Sequence, residues 1–373
     1  MRWIAIAGRS CIVAVPLEAS AETEIYRLAL ADSRSIVIAV AAAEGDDITV
    51  AIKSGAYRFP PGFSLLAELA APGGRVLDLG AHIGTFALFA AASGYAVLAV
   101  EASARNASLL QQSRTRNGFD SIHIVNQAVS DRAEEIEFIQ AGPYGHVAIA
   151  PSAGPRVSVQ AATVDDLLAA GWDQVAFVKM DIEGSEVKAV QGMARLLARD
   201  PAPAVFFESN GHTLHLFGQT PNTLLAQFEH FGYTCYLVER GQLTPVRAAD
   251  LQPECTVDYL AVKSPLPRLR QWRLGKPMSM QAVCAKLLAT CTHPHEHNRA
   301  YIGRALAQAD PALLADRNVQ RALHALKRDA AASVREAVAW WSQPVSLETT
   351  SPAPWKSRLR AALHTLRDTL TRR

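Results

Sequence analysis

The sequence predicts a doubly wound α/β fold built on a mostly parallel, Rossmann-like sheet, and three observations carry that expectation. From Arg75 onward, short apolar runs alternate with amphipathic stretches of helical period, the mark of a parallel sheet with crossover helices. One of these runs, 76–79, leads through a glycine-containing turn into a helix. Late in the pattern, the runs 234–239 and 256–262 follow one another with no helical stretch between them, so an antiparallel pair is expected to close one sheet edge.

The elements follow in order. At roughly 100–200 residues per domain, a chain of 373 residues suits two units, and the pattern divides it into three segments. Residues 1–71 read as a β-rich lead-in with short strands at 35–40 and 48–52, the second followed by a Ser54-Gly55 turn and then Pro60-Pro61-Gly62. Residues 72–263 carry the alternation: strand 76–79, helix 85–92, strand 96–100, helix 104–116 and strand 122–125. A helix at 163–170 capped by Thr163, a strand at 175–180, a helix at 185–198, a strand at 204–208 and a helix at 222–231 complete it. Residues 264–373 form an Ala-, Leu- and Arg-rich extension with helices near 279–290, 300–308, 311–338 and 355–369. Asp310 before Pro311 is a good helix start, because Asp caps free N–H groups and Pro fits the first turn.

Charge is unevenly distributed. The net charge is only +2, which gives the whole molecule no electrostatic signature for nucleic acid or a membrane surface. From Ser264 onward, however, 18 Lys/Arg stand against 7 Asp/Glu, leaving 19 against 28 in the rest. The basic stretch, with Lys327-Arg328, Lys356, Arg358, Arg360 and Arg372-Arg373, reads either as a site for an anionic or protein partner or as the solvated face of helices covering Leu and Trp residues such as Trp340 and Trp341. Five scattered cysteines do not make a disulfide framework and suit a reducing compartment, so the cytoplasm is the expected location. The apolar stretch 3–17 loosely imitates a secretory signal, but Arg9 interrupts it and Glu18 crowds the Ala19-Ser20-Ala21 site. No apolar run approaches the ~20 residues that a membrane span needs.

The strongest local signal is Asp78-Leu79-Gly80-Ala81-His82-Ile83-Gly84-Thr85, where a strand runs into a turn and then a helix. Such a turn lets a ligand approach the backbone where a Cβ would obstruct it, as at a nucleotide-type site. A dinucleotide fingerprint would space its glycines as G-x-G-x-x-G, whereas Gly80 and Gly84 are four apart and an acid precedes them. That acid serves an anion poorly and a cationic amino-acid moiety well. Glu101 ends the next apolar run, about 20 residues on, where a carboxylate accepts hydrogen bonds from both ribose hydroxyls. Together these residues suit S-adenosylmethionine better than NAD. The second signal is Lys179-Met180-Asp181-Ile182-Glu183-Gly184-Ser185-Glu186, a buried strand ending in four ionisable groups beyond the carboxyl edge of the sheet, where ligands of open α/β sheets bind.

These two motifs together resemble the FkbM family of methyltransferases. Asp78 to Gly84 is similar to its opening motif, Glu101 to its ribose acid, and Lys179 to Glu186 to its later hallmark, the more specific match. Asn126-Gln127-Ala128-Val129-Ser130-Asp131 resembles the segment that passes the adenine, and Phe206-Phe207-Glu208 resembles the acid-terminated fifth strand. The likeness covers roughly residues 75–262. His82 departs from it, standing where the family more often has asparagine. The resemblance implies an S-adenosylmethionine-dependent O-methyltransferase acting on a hydroxyl of a sugar, glycan or small natural product, with cofactor contacts from Asp78, Gly80, Ala81, His82, Gly84, Thr85, Glu101, Gln127, Ala128 and Asp181. It also implies the antiparallel sheet edge, since methyltransferase sheets of this type end that way.

Methyl transfer to oxygen is an in-line displacement that requires orientation of the reactants and removal of a proton. Asp181 is the first candidate to bind or deprotonate the acceptor, with Glu183, Glu208 and His212 behind it. Lys179 either tunes a neighbouring carboxylate or binds an acidic acceptor, or else makes a structural ion pair with Glu183 or Glu208; Glu186 reads as structural. No dedicated metal site is expected. Cys284, Cys291, His293, His295 and His297 invite comparison with zinc ligands, but their spacing matches no zinc pattern and Pro294 argues against a regular strand there. Two rival readings remain: an NAD-type oxidoreductase, and a methyltransferase-like module that binds glycan or cofactor without turnover.

Overall fold

The structure, a computed structural model, describes residues 14–30, 34–43, 46–139, 146–147, 156–169, 171–263 and 265–342. Strands β1 (Ala14–Ala19), β2 (Thr23–Ala29) and β3 (Ser35–Ala41) form an antiparallel sheet in that order. Two helices follow, α1 (Asp47–Lys53) and α2 (Gly62–Leu69). The first corrects the expected strand at 48–52. Its β-branched residues are overruled by Asp46, which accepts the Thr49 N–H at 2.7 Å and the Thr49 hydroxyl at 2.7 Å, and Thr49 and Ile52 are buried at helical spacing.

The alternation from Arg75 forms as expected: β4 (Arg75–Leu79), α3 (Thr85–Ala92), β5 (Ala96–Val100), α4 (Ala104–Asn117) and β6 (Ile122–Val125). A small sheet then intervenes, made of β7 (Ala128–Val129), β8 (Glu134–Ile139), β9 (His146–Val147) and β10 (Arg156–Ala162) in the order β7-β10-β8-β9. The sequence reading missed it. The pattern resumes with α5 (Val164–Leu168), capped as expected by Thr163, then β11 (Val175–Met180), α6 (Glu186–Gly192), α7 (Ala194–Leu197), β12 (Ala204–Asn210), α8 (Gly211–Leu216) and α9 (Pro221–His230). The single helix expected at 185–198 is two, because Met193 leaves helical geometry at φ −116° and ψ 22°. Next to this break a Cβ on Gly192 would stand 2.1 Å from the Ser130 carbonyl oxygen.

The last strands are β13 (Thr234–Glu239), β14 (Gln242–Val246), β15 (Thr256–Val262) and β16 (Arg273–Leu274), giving the nine-stranded order β16-β14-β13-β15-β12-β11-β4-β5-β6. β13 and β15 are antiparallel neighbours, as the sequence suggested. They do not themselves close the edge: β14 and β16 lie outside β13, and β15 is inserted between β12 and β13.

Successive side chains on a strand face opposite ways, and the core divides accordingly. Val76, Val97, Phe177 and Phe206 face one apolar cluster that also takes in Ile36, Ile38 and Val40 of β3, so the lead-in packs into the same core as the large sheet. Leu77, Leu79, Val178, Met180 and Phe207 face the other, under α6 and α9. The outer edge of β3 is covered by α4: the Asn117 amide accepts from the Val37 N–H at 2.8 Å and donates to its carbonyl at 2.6 Å, and Ser113 Oγ accepts the Ala39 N–H at 2.9 Å.

The C-terminal extension is helical: α10 (Met280–Cys291), α11 (Glu296–Leu306), α12 (Pro311–Leu314), α13 (Arg317–Leu326) and α14 (Ala332–Ala337) around a core of their own. The helix expected over 311–338 is therefore three, with Asp316 capping α13; the one at 355–369 lies outside the described residues. Arg299 grips Asp329 through two hydrogen bonds of 2.7 and 2.9 Å. Lys286 bonds both Glu239 and Glu254, tying the extension to the sheet. Trp340 and Trp341 pack against the helical core and Lys327 lies 4.6 Å over the Trp341 ring; Lys356, Arg358, Arg360, Arg372 and Arg373 of the basic stretch lie outside the described residues. No helix among the described residues is long and apolar enough to cross a membrane.

Candidate active site

The carboxyl ends of β4, β5, β11 and β12 border one cleft of about 610 Å³. Asp78 and Lys179 are direct neighbours across the parallel β4–β11 pair. The Asp78 carboxylate is completely buried, with Lys179 Nζ 3.5 Å away and no hydrogen bond to either oxygen. Burial raises its pKa to about 6, against the pull of Lys179. Lys179 reaches Asp181 at 3.7 Å and donates to the Gly80 carbonyl at 2.8 Å. Burial disfavours its charge, but Asp78 and Asp181 outweigh that and hold its pKa above the usual lysine value. Its partners are thus not Glu183 or Glu208 but the acids of its own strand end and the strand beside it.

The turn after β4 is shaped by backbone. Gly80 has φ +77°, and a Cβ there would lie 1.9 Å from the Asp181 carbonyl oxygen. At Gly84, φ +90°, a Cβ would strike Leu110 at 2.1 Å, and this residue does not border the cleft. At both glycines a Cβ would also collide with the protein's own atoms, while Gly80 still borders the cleft. The Gly80 and Ala81 N–H groups are also taken, both bonding the Val100 carbonyl at 3.0 Å. His82 adopts φ +51°, a left-handed conformation that asparagine and histidine tolerate better than most residues, so the departure at this position is compatible with the turn. Burial lowers the His82 pKa to about 4, leaving a neutral ring whose Nδ1 is buried without a partner.

Glu101 joins the two sides of the turn. Its Oε2 accepts the His82 N–H and its Oε1 the Ser103 N–H, each at 2.8 Å. A carboxylate has about four acceptor positions, so Glu101, which borders the cleft, retains capacity for hydroxyl donors. Asn126 Nδ2 holds the next loop by donating to the Glu101 carbonyl at 2.8 Å, setting Gln127 and Ala128 on the cleft wall.

Opposite stands the acid cluster. Asp181, Glu183 and Glu208 present carboxylate oxygens that all lie within 4.8 Å of one another, a spacing that a divalent cation or shared protons can bridge. Glu183 sits at φ +53° in the loop after β11. Glu186 holds that loop, accepting the Gly184 N–H at 2.9 Å and the Ile182 N–H at 3.2 Å, the structural part expected of it. Burial raises Glu183 to about 8 and Glu208 to about 9, each pushed further by Asp181. The sequence reading missed Asp258, which faces Glu208 across the β12–β15 ladder and is raised to about 7 by burial and then by Asp181. It missed equally that Asp47, Tyr57 and Arg58 of the lead-in line the same cleft.

Of the residues expected at the site, Gly80, Ala81, His82, Thr85, Glu101, Gln127, Ala128, Lys179, Asp181, Glu183 and Glu208 all border this cleft, and Asp78 is buried behind it. His212 does not. It lies in the first turn of α8, stacks on His297 of α11 at 3.9 Å between ring centres, and faces a second cavity. Among the described residues, the group with metal-ligand spacing is Asp181, Glu183 and Glu208, which includes neither His297 nor the cysteines.

Residues 78–235 match the family model described as Methyltransferase FkbM domain, a span that contains Asp78, Glu101 and the whole 179–186 motif. The chain carries an FkbM methyltransferase domain. Among solved structures, the chain is similar to an S-adenosylmethionine-dependent methyltransferase from Agrobacterium tumefaciens, at 12% identity and TM-score 0.36 over 66% of this chain and 72% of that one. It is similar to the precorrin-6y C5,15-methyltransferase of Geobacter metallireducens, at 13% identity and TM-score 0.31 over 53% and 84%. A third likeness is to a T. thermophilus 16S rRNA N2 G1207 methyltransferase, at 15% identity and TM-score 0.34 over 69% and 52%. No curated protein matches the sequence.

The cleft of the FkbM domain fits S-adenosylmethionine on two observations. The Asp78 carboxylate and Lys179 place a buried charge pair directly behind the Gly80 turn, and Glu101 has spare lone pairs facing the cleft.

Proposed function

We infer that this protein is an S-adenosylmethionine-dependent O-methyltransferase acting on a hydroxyl of a sugar, glycan or small natural product. The observation that carries the reading is the meeting, in one cleft, of Glu101 and the Gln127–Ala128 wall with the Asp181, Glu183 and Glu208 carboxylates. Glu101 would hold the ribose, Gln127 and Ala128 would flank the adenine, and the amino-acid end would lie against the Gly80 turn, with Asp78 buried behind it. When bound, S-adenosylmethionine supplies a methyl group made electrophilic by its sulfonium.

The remaining work falls to the chain's own residues. Asp181 orients the acceptor hydroxyl, steadied by Lys179 at 3.7 Å. An alcohol is a weak acid, so its proton leaves late, as the oxygen bonds to carbon. Carboxyl groups raised to about 8 and 9 are, once ionised, stronger bases than ordinary carboxylates, so the deprotonated form of Glu183 or Glu208 suits a proton passed on from Asp181. The apolar walls, with Phe86, Phe138 and Phe206, limit water around the reacting atoms.

The test is calorimetric titration with S-adenosylhomocysteine of the wild type and Glu101→Ala. Micromolar binding that weakens about tenfold in the variant, roughly 1.4 kcal/mol of lost charge-assisted hydrogen bonding, supports the assignment. Absence of binding by the wild type sinks it.

A further inference from the structure

A second cavity, of about 1350 Å³, lies between the β12–α8 corner and the C-terminal helices. It is larger than the ~300–1,000 Å³ usual for small-molecule sites. Part of its wall is apolar, with Met278, Val283, Leu313 and Trp340, and Arg304 of α11 lines it as well. Arg304 Nη2 is fully buried with no hydrogen-bond partner, and no carboxylate among the described residues forms an ion pair with this guanidinium. Of the acids on the same wall, Asp250 pairs with Arg247 at 2.8 Å, Glu336 is exposed, and Asp310 precedes α12.

Arg304 is half-buried, and a guanidinium nitrogen that is buried without a partner is costly unless something pairs with it. Its planar donors match a carboxylate or a phosphate, with which it makes two parallel hydrogen bonds. Burial, with His297 and Arg304 adding to it, lowers the His212 pKa to about 4, and burial lowers that of Arg304 itself.

We propose that this cavity binds an amphiphilic anion, an apolar body ending in a carboxylate or phosphate, with Arg304 as its counter-charge and the Met278–Leu313–Trp340 wall around its apolar part. The site does not rest on the methyl-transfer reading. Its corner is contiguous with the catalytic cleft, since Asn210 lines one and Gly211 and His212 line the other.

The probes are octyl phosphate, octanoate, octanol and inorganic phosphate, titrated by calorimetry into the full chain. Octyl phosphate or octanoate is expected to bind, with octanol and inorganic phosphate each about tenfold weaker or worse. Whichever anion binds more tightly identifies the head group. Arg304→Met is expected to weaken the anion about tenfold or more, with Arg304→Lys partly restoring it. Should Arg304→Met fail to fold, Val283→Trp narrows the cavity from its wall and is expected to weaken the same anion. Equal binding of octanol, no binding of either amphiphile, or an Arg304→Met variant that binds like the wild type would overturn the proposal.

Discussion

Glu208 and Asp258 stand directly opposite each other in the antiparallel ladder between β12 and β15, two acids side by side at the floor of the catalytic cleft. Burial first, and then the Asp181 charge, make both groups hold protons well above the usual carboxylate range, and Asp258 adds to the shift at Glu208.

Stability should therefore fall as pH rises. Carboxyl groups with folded pKa values of about 7 to 9 bind protons more tightly than in the unfolded chain, so their contribution is fully present below about pH 4.5 and is lost through pH 7 to 9. Thermal unfolding at pH 6 and pH 9 is expected to show a lower Tm at pH 9. Glu208→Gln should flatten that difference and exceed the wild type by about 2 °C or more at pH 9. A variant less stable than the wild type at pH 9 would contradict this account.

Asp78 and Lys179 should behave as a unit. Lys179→Met leaves a buried carboxylate without its cation and is expected to cost about 3 kcal/mol at pH 8. The loss should shrink at pH 5, below the Asp78 pKa of about 6, where that carboxyl is neutral. Asp78→Leu combined with Lys179→Met should recover much of the loss, because a buried pair replaced by apolar groups costs little. Denaturant unfolding of the single and double variants tests it; additive losses would show that the pair is not coupled.

Gly80 and Gly73 separate backbone strain from collision. Both have positive φ, +77° and +83°, but a Cβ on Gly73 meets nothing within 4 Å. Gly73→Ala should cost about 1 kcal/mol, the left-handed backbone alone. Gly80→Ala should cost clearly more and weaken S-adenosylhomocysteine binding, because Asp181 must move. Equal costs in denaturant melts would mean that the turn relaxes freely.

Asp181→Asn keeps the shape of the cleft and removes the charge. It is expected to lower kcat by about 10²–10⁴-fold, the usual span for a lost general base, while the variant still binds S-adenosylhomocysteine. In the wild type kcat should rise from pH 6 toward pH 9 as Glu183 and Glu208 lose their protons. Steady-state kinetics across that range decide it, and a rate that falls over the interval would remove these acids from the proton path.

The strand-turn-helix from Val76 through Thr85 was legible because its signals are local: an apolar run, a residue that ends it, and glycines at positive φ. The cluster 179–186 was legible for the same reason, as charge placed at the end of a buried strand. The helix at Asp47–Lys53 was misread because Ile48, Thr49 and Val50 favour strands, although Asp46 supplied a cap signal. The Glu134–Ile139 strand escaped notice although its burial alternates in the first four residues, since half of its residues are acidic.

By itself, then, the sequence determined the parallel α/β core, the family resemblance and eleven of the residues that border the cleft, because each of these is written in short-range pattern. Only the tertiary structure decided that Lys179 serves Asp78 and Asp181, that Asp258 meets Glu208, that His212 faces a different cavity, and that Arg304 Nη2 is buried without a hydrogen-bond partner. Those relationships depend on strand register and on the docking of helices distant in the chain. Burial then sets the protonation of the acids so gathered, and no local pattern encodes it.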